Sequence, residues 1–164
     1  MLRAFTLLLC ATLTSGCDPA TSAGQPSRYA APISQMFADP DVVDFFVAEA
    51  ASANVTSIRV VHGLAAQAAG RTYGATTYNS GSNSANIEIF TDVPGANSPT
   101  NLAHEISHAW AFRHGCFNHG ERWLAYHIGI AERFEARFPG VKWSGASPTQ
   151  NVARKAARYP NDHC

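Results

Sequence analysis

Between Pro99 and Phe112 the chain carries one formal charge, Glu105, while Leu102, Ile106, Ala109, Trp110 and Phe112 spread apolar surface around most of a helical cylinder. A helix apolar on most sides has to be buried. This one takes two histidines and a carboxylate with it, because its centre reads His104-Glu105-Ile106-Ser107-His108. Imidazoles four residues apart project from the same helix face, close enough to bind one metal ion. Burying these groups without partners would cost several kcal/mol, whereas a divalent cation compensates them. A solvated helix with two surface histidines is the competing reading, and the apolar surroundings oppose it. Glu105 stands beside the histidine face, where it reaches a water held by the metal rather than the metal itself. The chain is thus expected to fold around a buried helix that bears one Zn²⁺ site.

Zinc of this kind needs a third protein ligand, and His114, Cys116, His119 and Glu121 all follow within reach. His114 has the metzincin spacing, six residues after His108. At about 100° per residue, however, it points roughly 120° away from the His104 and His108 face unless the helix breaks first. The break is expected at Gly115, after His114, which leaves that histidine at a solvated helix end near the negative pole of the dipole. Cys116 has an alternative role in a disulfide, and Glu121 has one as a first-turn helix charge. His119 lies past the turn, and Gly120 frees the backbone to aim it back. Geometry prefers His119.

The stretch Leu102 to Trp123 resembles the core of the SprT-like metallopeptidases. Their signature joins His-Glu-x-x-His to a downstream His-Gly-x-x-aromatic, here His104 to His108 and then His119-Gly120-Glu121-Arg122-Trp123. The resemblance implies a compact zincin with His104, His108 and His119 as zinc ligands and Glu105 as general base. It further implies that the strand Asn86 to Phe90 borders the cleft, where Ile87 and Ile89 would mark an edge open to substrate backbone by strand addition. Two features depart from family members that cleave DNA-crosslinked proteins: there is no four-cysteine zinc ribbon, and twelve basic residues are balanced by twelve acidic ones. A net charge of zero argues against a broad electrostatic footprint for nucleic acid and against a polybasic membrane patch. The protease chemistry is carried over and the DNA-repair role is not.

The N-terminus points to export. Met1-Leu2-Arg3 supplies a positive start, and Ala4 to Leu13 is an uncharged run within signal-peptide length and too short to span a bilayer. Thr14-Ser15-Gly16-Cys17 then resembles a bacterial lipobox, with Thr14 where leucine is usual. Residues 1–16 are accordingly read as a signal peptide of lipoprotein type, Cys17 as the lipidated residue, 17–32 as a flexible tether and 33–164 as the zincin-like domain. Contact with a membrane is expected only through that anchor, at a periplasmic or cell-surface location. Processing would leave Cys116 and Cys164 as the remaining cysteines, and an oxidising compartment favours their pairing.

Around the metal helix the expected elements are a helix from Asp39-Pro40 to Ala53, strands at Thr56 to His62, Arg71 to Tyr78 and Ala85 to Thr91, the helix from Ser98-Pro99 to Arg113, a helix from Glu121 to Phe138, and a short basic helix over Asn151 to Tyr159. At 164 residues this makes one α+β domain with a small, mostly antiparallel sheet. Trp123 is expected to pack the second long helix on the first, as are Tyr126 and His127, although either could donate to an oxyanion. His62, at a strand end, and His163, in the tail, are read as non-functional, and Arg154, Lys155 and Arg158 as a solvated helix surface. The function expected is an exported zinc metalloendopeptidase acting on protein or peptide substrates. Two alternatives are a catalytically silent zinc-binding lipoprotein module and an intracellular SprT-like protease acting on DNA-associated proteins.

Overall fold

A computed structural model describes residues 28–62, 73–91, 95, 97–143, 146–157 and 164. The signal segment 1–16, Cys17 and residues 18–27 lie outside them, as do residues 71–72, 158–159 and His163. The described chain forms an α+β domain of five helices and three strands: α1 (Ala30–Ser34), α2 (Pro40–Ser52), β1 (Val55–Val61), β2 (Gly74–Asn79), β3 (Ser84–Phe90), α3 (Pro99–Arg113), α4 (Glu121–Arg137) and α5 (Pro148–Ala156).

Helix α2 starts where its sequence says it should. Asp39 is the N-cap, its carboxylate accepts from the Asp41 N–H at 2.9 Å, and Pro40 holds the first helical position. Val42, Val43, Phe45, Phe46 and Ala50 turn inward from it. Phe45 meets Phe46 and Phe134 of α4 edge-on, at centroid separations of 5.2 and 5.3 Å, an arrangement that aromatic quadrupoles favour. The same face buries Glu49, which accepts two hydrogen bonds from the Arg133 guanidinium at 2.7 and 2.8 Å. That bidentate pair fixes α2 to α4, and removal of the arginine would strand a buried carboxylate.

The sheet is small, as expected, but mixed rather than mostly antiparallel. Its order is β1-β3-β2, with β3 parallel to β1 and antiparallel to β2. The β2–β3 hairpin closes through an Asx turn, in which Asn79 Oδ1 accepts from the N–H groups of Gly81 and Ser82 at 2.9 and 3.2 Å. β3 takes the centre because Ala85, Ile87 and Ile89 make it the most deeply buried strand. Ile87 and Ile89 therefore do not mark an edge; among the described strands the two edges are β1 and β2. Period-2 alternation reveals which face a strand buries and leaves its neighbours undetermined.

Packed structure also begins earlier than residue 33. Tyr29 is buried, its hydroxyl donates to the Val55 carbonyl oxygen, and α1 starts at Ala30, inside the 17–32 stretch assigned above to the tether. Among the described residues no helix is long and apolar enough to cross a membrane.

Candidate metal centre

Helix α3 packs against β2 and β3 on one side and against α4 on the other. It ends in a Schellman motif, with the Cys116 N–H bonded to the Ala111 carbonyl at 3.0 Å and the Gly115 N–H to the Phe112 carbonyl at 3.1 Å. Gly115 adopts φ +76°, a left-handed conformation that costs glycine nothing. The chain thereby reverses after His114 and before His119, as its glycine position predicted. Three contacts then fix the return path. Cys116 is buried at disulfide distance from Cys164, with Cα atoms 5.3 Å apart; Asn118 Oδ1 accepts from the Gly120 N–H at 3.0 Å; and Arg122 donates to the His114 carbonyl.

This path brings His119 to the histidines of α3. The Nε2 atoms of His104, His108 and His119 stand 3.1 to 3.2 Å from one another. A tetrahedral zinc with Zn–N bonds of about 2.0–2.1 Å separates its ligand nitrogens by roughly 3.3 Å, so one ion fits this triangle. Hydrogen bonding alone cannot satisfy the triangle, because each Nε2 either carries a proton or offers a lone pair and cannot do both. A cation takes all three lone pairs. Among the described residues these three are the one group of histidine, cysteine or carboxylate side chains placed to hold a metal ion.

Trp123, fully buried on α4, lies against all three rings with centroids 4.8, 5.5 and 4.6 Å from His104, His108 and His119. Its indole N–H donates to the His104 carbonyl at 3.3 Å, so Trp123 both packs against the histidines and braces the helix that carries two of them. His114 is exposed and stacks on Trp110, with its Nδ1 2.7 Å from the Trp110 carbonyl. Glu121 is exposed in the first turn of α4, outside the histidine group. Tyr126 and His127, the two candidate oxyanion donors, are engaged in packing. Tyr126 stacks on Trp110 and meets the Ser52 hydroxyl at 2.7 Å, while His127 is fully buried, stacked on Trp123 and 3.1 Å from the Ser107 hydroxyl.

Glu105 is buried beside the triangle, against β2. Thr76 Oγ1 lies 2.7 Å from Glu105 Oε2 and 3.0 Å from the Glu105 carbonyl oxygen, so the single hydroxyl proton of a β2 threonine has two acceptors on that residue, the nearer being the carboxylate. Gly74 makes this approach possible: a Cβ there would stand 2.9 Å from Glu105 Cγ and 3.0 Å from the Glu88 carbonyl oxygen. Neither Gly74 nor Thr76 stood out in the sequence. The available signal was a glycine inside a strand pattern, which marks a place where another element comes close.

No protein-family model, curated protein or solved structure matches the chain. Its chemistry has to be read from the residues themselves.

Proposed function

We propose that this chain is an exported zinc-dependent endopeptidase of SprT-like, zincin type, held at a membrane surface only if Cys17 is lipidated. The observation that carries the reading is the pairing of a three-imidazole triangle with a buried carboxylate that is not itself one of the ligands. A closed structural site has no use for such a carboxylate, and burying one is costly. A zinc ion bound by three neutral imidazoles supplies Lewis-acid activation of water and of the scissile carbonyl.

The protein's own groups do the rest. His104 and His108 owe their spacing to α3, and His119 is aimed by the loop that Gly115 starts. Glu105 takes a proton from the attacking water and returns it to the leaving amine. The hydroxyl of Thr76 fixes which way its carboxylate faces. The outer edge of β2, beside Glu105, offers main-chain groups to an extended peptide, which replaces the role first given to Ile87 and Ile89.

The test is metal analysis of the purified domain together with hydrolysis of an unfolded protein. One zinc per chain is expected, and Glu105→Gln should keep zinc and fold while slowing hydrolysis by about 10²- to 10⁴-fold. Full activity in that variant refutes the general base. A zinc-loaded wild type that cuts no unfolded protein replaces this reading with the silent zinc-binding module. Recovery of the protein in the cytoplasm, on fractionation, would reopen the intracellular one.

A further inference from the structure

The loop that delivers His119 carries an exposed aromatic side chain. Phe117 is 66% exposed although its neighbour Cys116 is fully buried and placed at disulfide distance from Cys164. Its ring stacks on Phe112 at 5.4 Å, and Tyr78 meets Phe112 and Phe117 edge-on at 6.2 and 6.0 Å. The Tyr78 hydroxyl is turned away to Asn83 Oδ1 at 2.8 Å, which leaves ring surface in the cluster. These three aromatics come from β2, from the end of α3 and from the ligand loop, so the patch is assembled by the same elements that assemble the metal centre. It is also continuous with that centre, because Phe112 lies 5.3 Å from the ring of His108.

Gly74, Thr76 and Tyr78 share one face of β2, since strand residues two apart point the same way. Gly74 and Thr76 adjoin Glu105, whereas Tyr78 adjoins Phe112. Travel along β2 therefore leads from the carboxylate to the aromatic patch within one strand repeat of about 6–7 Å. An extended peptide seated along this edge spaces its own alternate side chains by the same amount.

We infer that Tyr78, Phe112 and Phe117 form a side-chain subsite of the candidate centre, one that takes an aromatic or large aliphatic residue within two positions of the bond cut. The inference rests on the peptidase reading for its setting. Its occupant follows from the chemistry of the patch: three aromatic rings, one of them largely exposed, favour an apolar side chain and disfavour a charged one.

Two experiments separate this inference from the reading beneath it. Zinc-loaded wild type is incubated with a denatured protein and the cut sites are sequenced; aromatic or large aliphatic residues should be enriched at one fixed position. On matched peptides bearing Phe or Ala there, the ratio of kcat/KM should be on the order of tenfold or more and should fall toward one in Phe117→Ala. Hydrolysis without such enrichment, or enrichment that survives Phe117→Ala, overturns the subsite and leaves the peptidase intact. Binding is measured separately by fluorescence anisotropy of the same labelled peptides on zinc-loaded Glu105→Gln. Tighter binding of the Phe peptide, lost when Phe117→Ala is added, is expected even if the wild type cuts nothing. Equal binding of the two peptides overturns the subsite.

Discussion

Replacing Gly74 with alanine places a methyl carbon 2.9 Å from Cγ and 3.1 Å from Cδ of Glu105, and 3.0 Å from the Glu88 carbonyl oxygen. Carbon atoms in ordinary contact stand about 3.5–4.0 Å apart, so roughly 0.6 Å or more has to be found. The Glu88 oxygen belongs to the central strand and is held by the ladder. The Glu105 side chain is the softer neighbour and will move. Overpacking of this kind costs about 1–3 kcal/mol of stability. Displacing a reacting group by around 1 Å can cost on the order of 10²-fold in rate. The histidines project from the neighbouring face of α3 and do not touch Gly74, so zinc content should stay near one per chain. The assay is zinc stoichiometry, thermal unfolding and kcat/KM on an unfolded protein, with Thr76→Val beside it. Thr76→Val keeps the volume and removes the 2.7 Å hydrogen bond to Oε2, so it should lose activity with less loss of stability. Wild-type activity and melting temperature in Gly74→Ala would show that Glu105 does not depend on its approach to β2.

His119→Ala should remove most of the zinc while His114→Ala leaves it bound; equal zinc loss from both, measured by metal analysis, would contradict the assignment of the third ligand. Reducing Cys116–Cys164, which closes a segment of 48 residues, should lower stability by roughly 2–4 kcal/mol in the chain-entropy picture and loosen zinc as well. Two free thiols in the denatured, unreduced exported protein would remove its premise. Burial raises the pKa of Tyr126, only partly offset by its hydrogen bond to Ser52. The folded state thus keeps that proton longer than the unfolded one, and stability should fall as pH rises through the ordinary tyrosine range and beyond. Denaturant titrations should show this slope diminished in Tyr126→Phe.

What could be read from the sequence is what local spacing encodes. Two histidines four apart, a glycine that stops the helix after His114, and a histidine followed by glycine before the next helix are short-range features, and the structure brings these three histidines together. Asp39-Pro40 and Ser98-Pro99 started helices for the same reason. What could not be read depends on contacts between distant segments. Nothing local in Gly74 or Thr76 announces that α3 will lie against them, and nothing in β1 says that its partner will be β3 in parallel. Tyr29 stood in a stretch rich in proline, alanine, serine and glycine, a composition suited to a tether. The Tyr29 hydroxyl, bonded to the Val55 carbonyl, ties residue 29 to the domain through a contact that composition does not announce.

This division between local and distant determinants carries into the chemistry. His104 and His108 are placed by helical periodicity alone, so any change that leaves α3 formed leaves two ligands in register. His119 depends on the loop from Gly115 to Gly120, whose Schellman turn, Asn118 hydrogen bond and cysteine pair all act to shorten its range of motion. Glu105 depends on α3 for its backbone and on β2 for its side chain, because its carboxylate is held by Thr76 and admitted by Gly74. Substitutions in the loop should therefore reduce metal content first and activity in consequence. Substitutions in β2 should spare the metal and act on proton transfer. The aromatic patch spans both regions, with Tyr78 on β2 and Phe117 on the loop, so anything that moves the loop relative to β2 changes the side-chain subsite along with the third ligand.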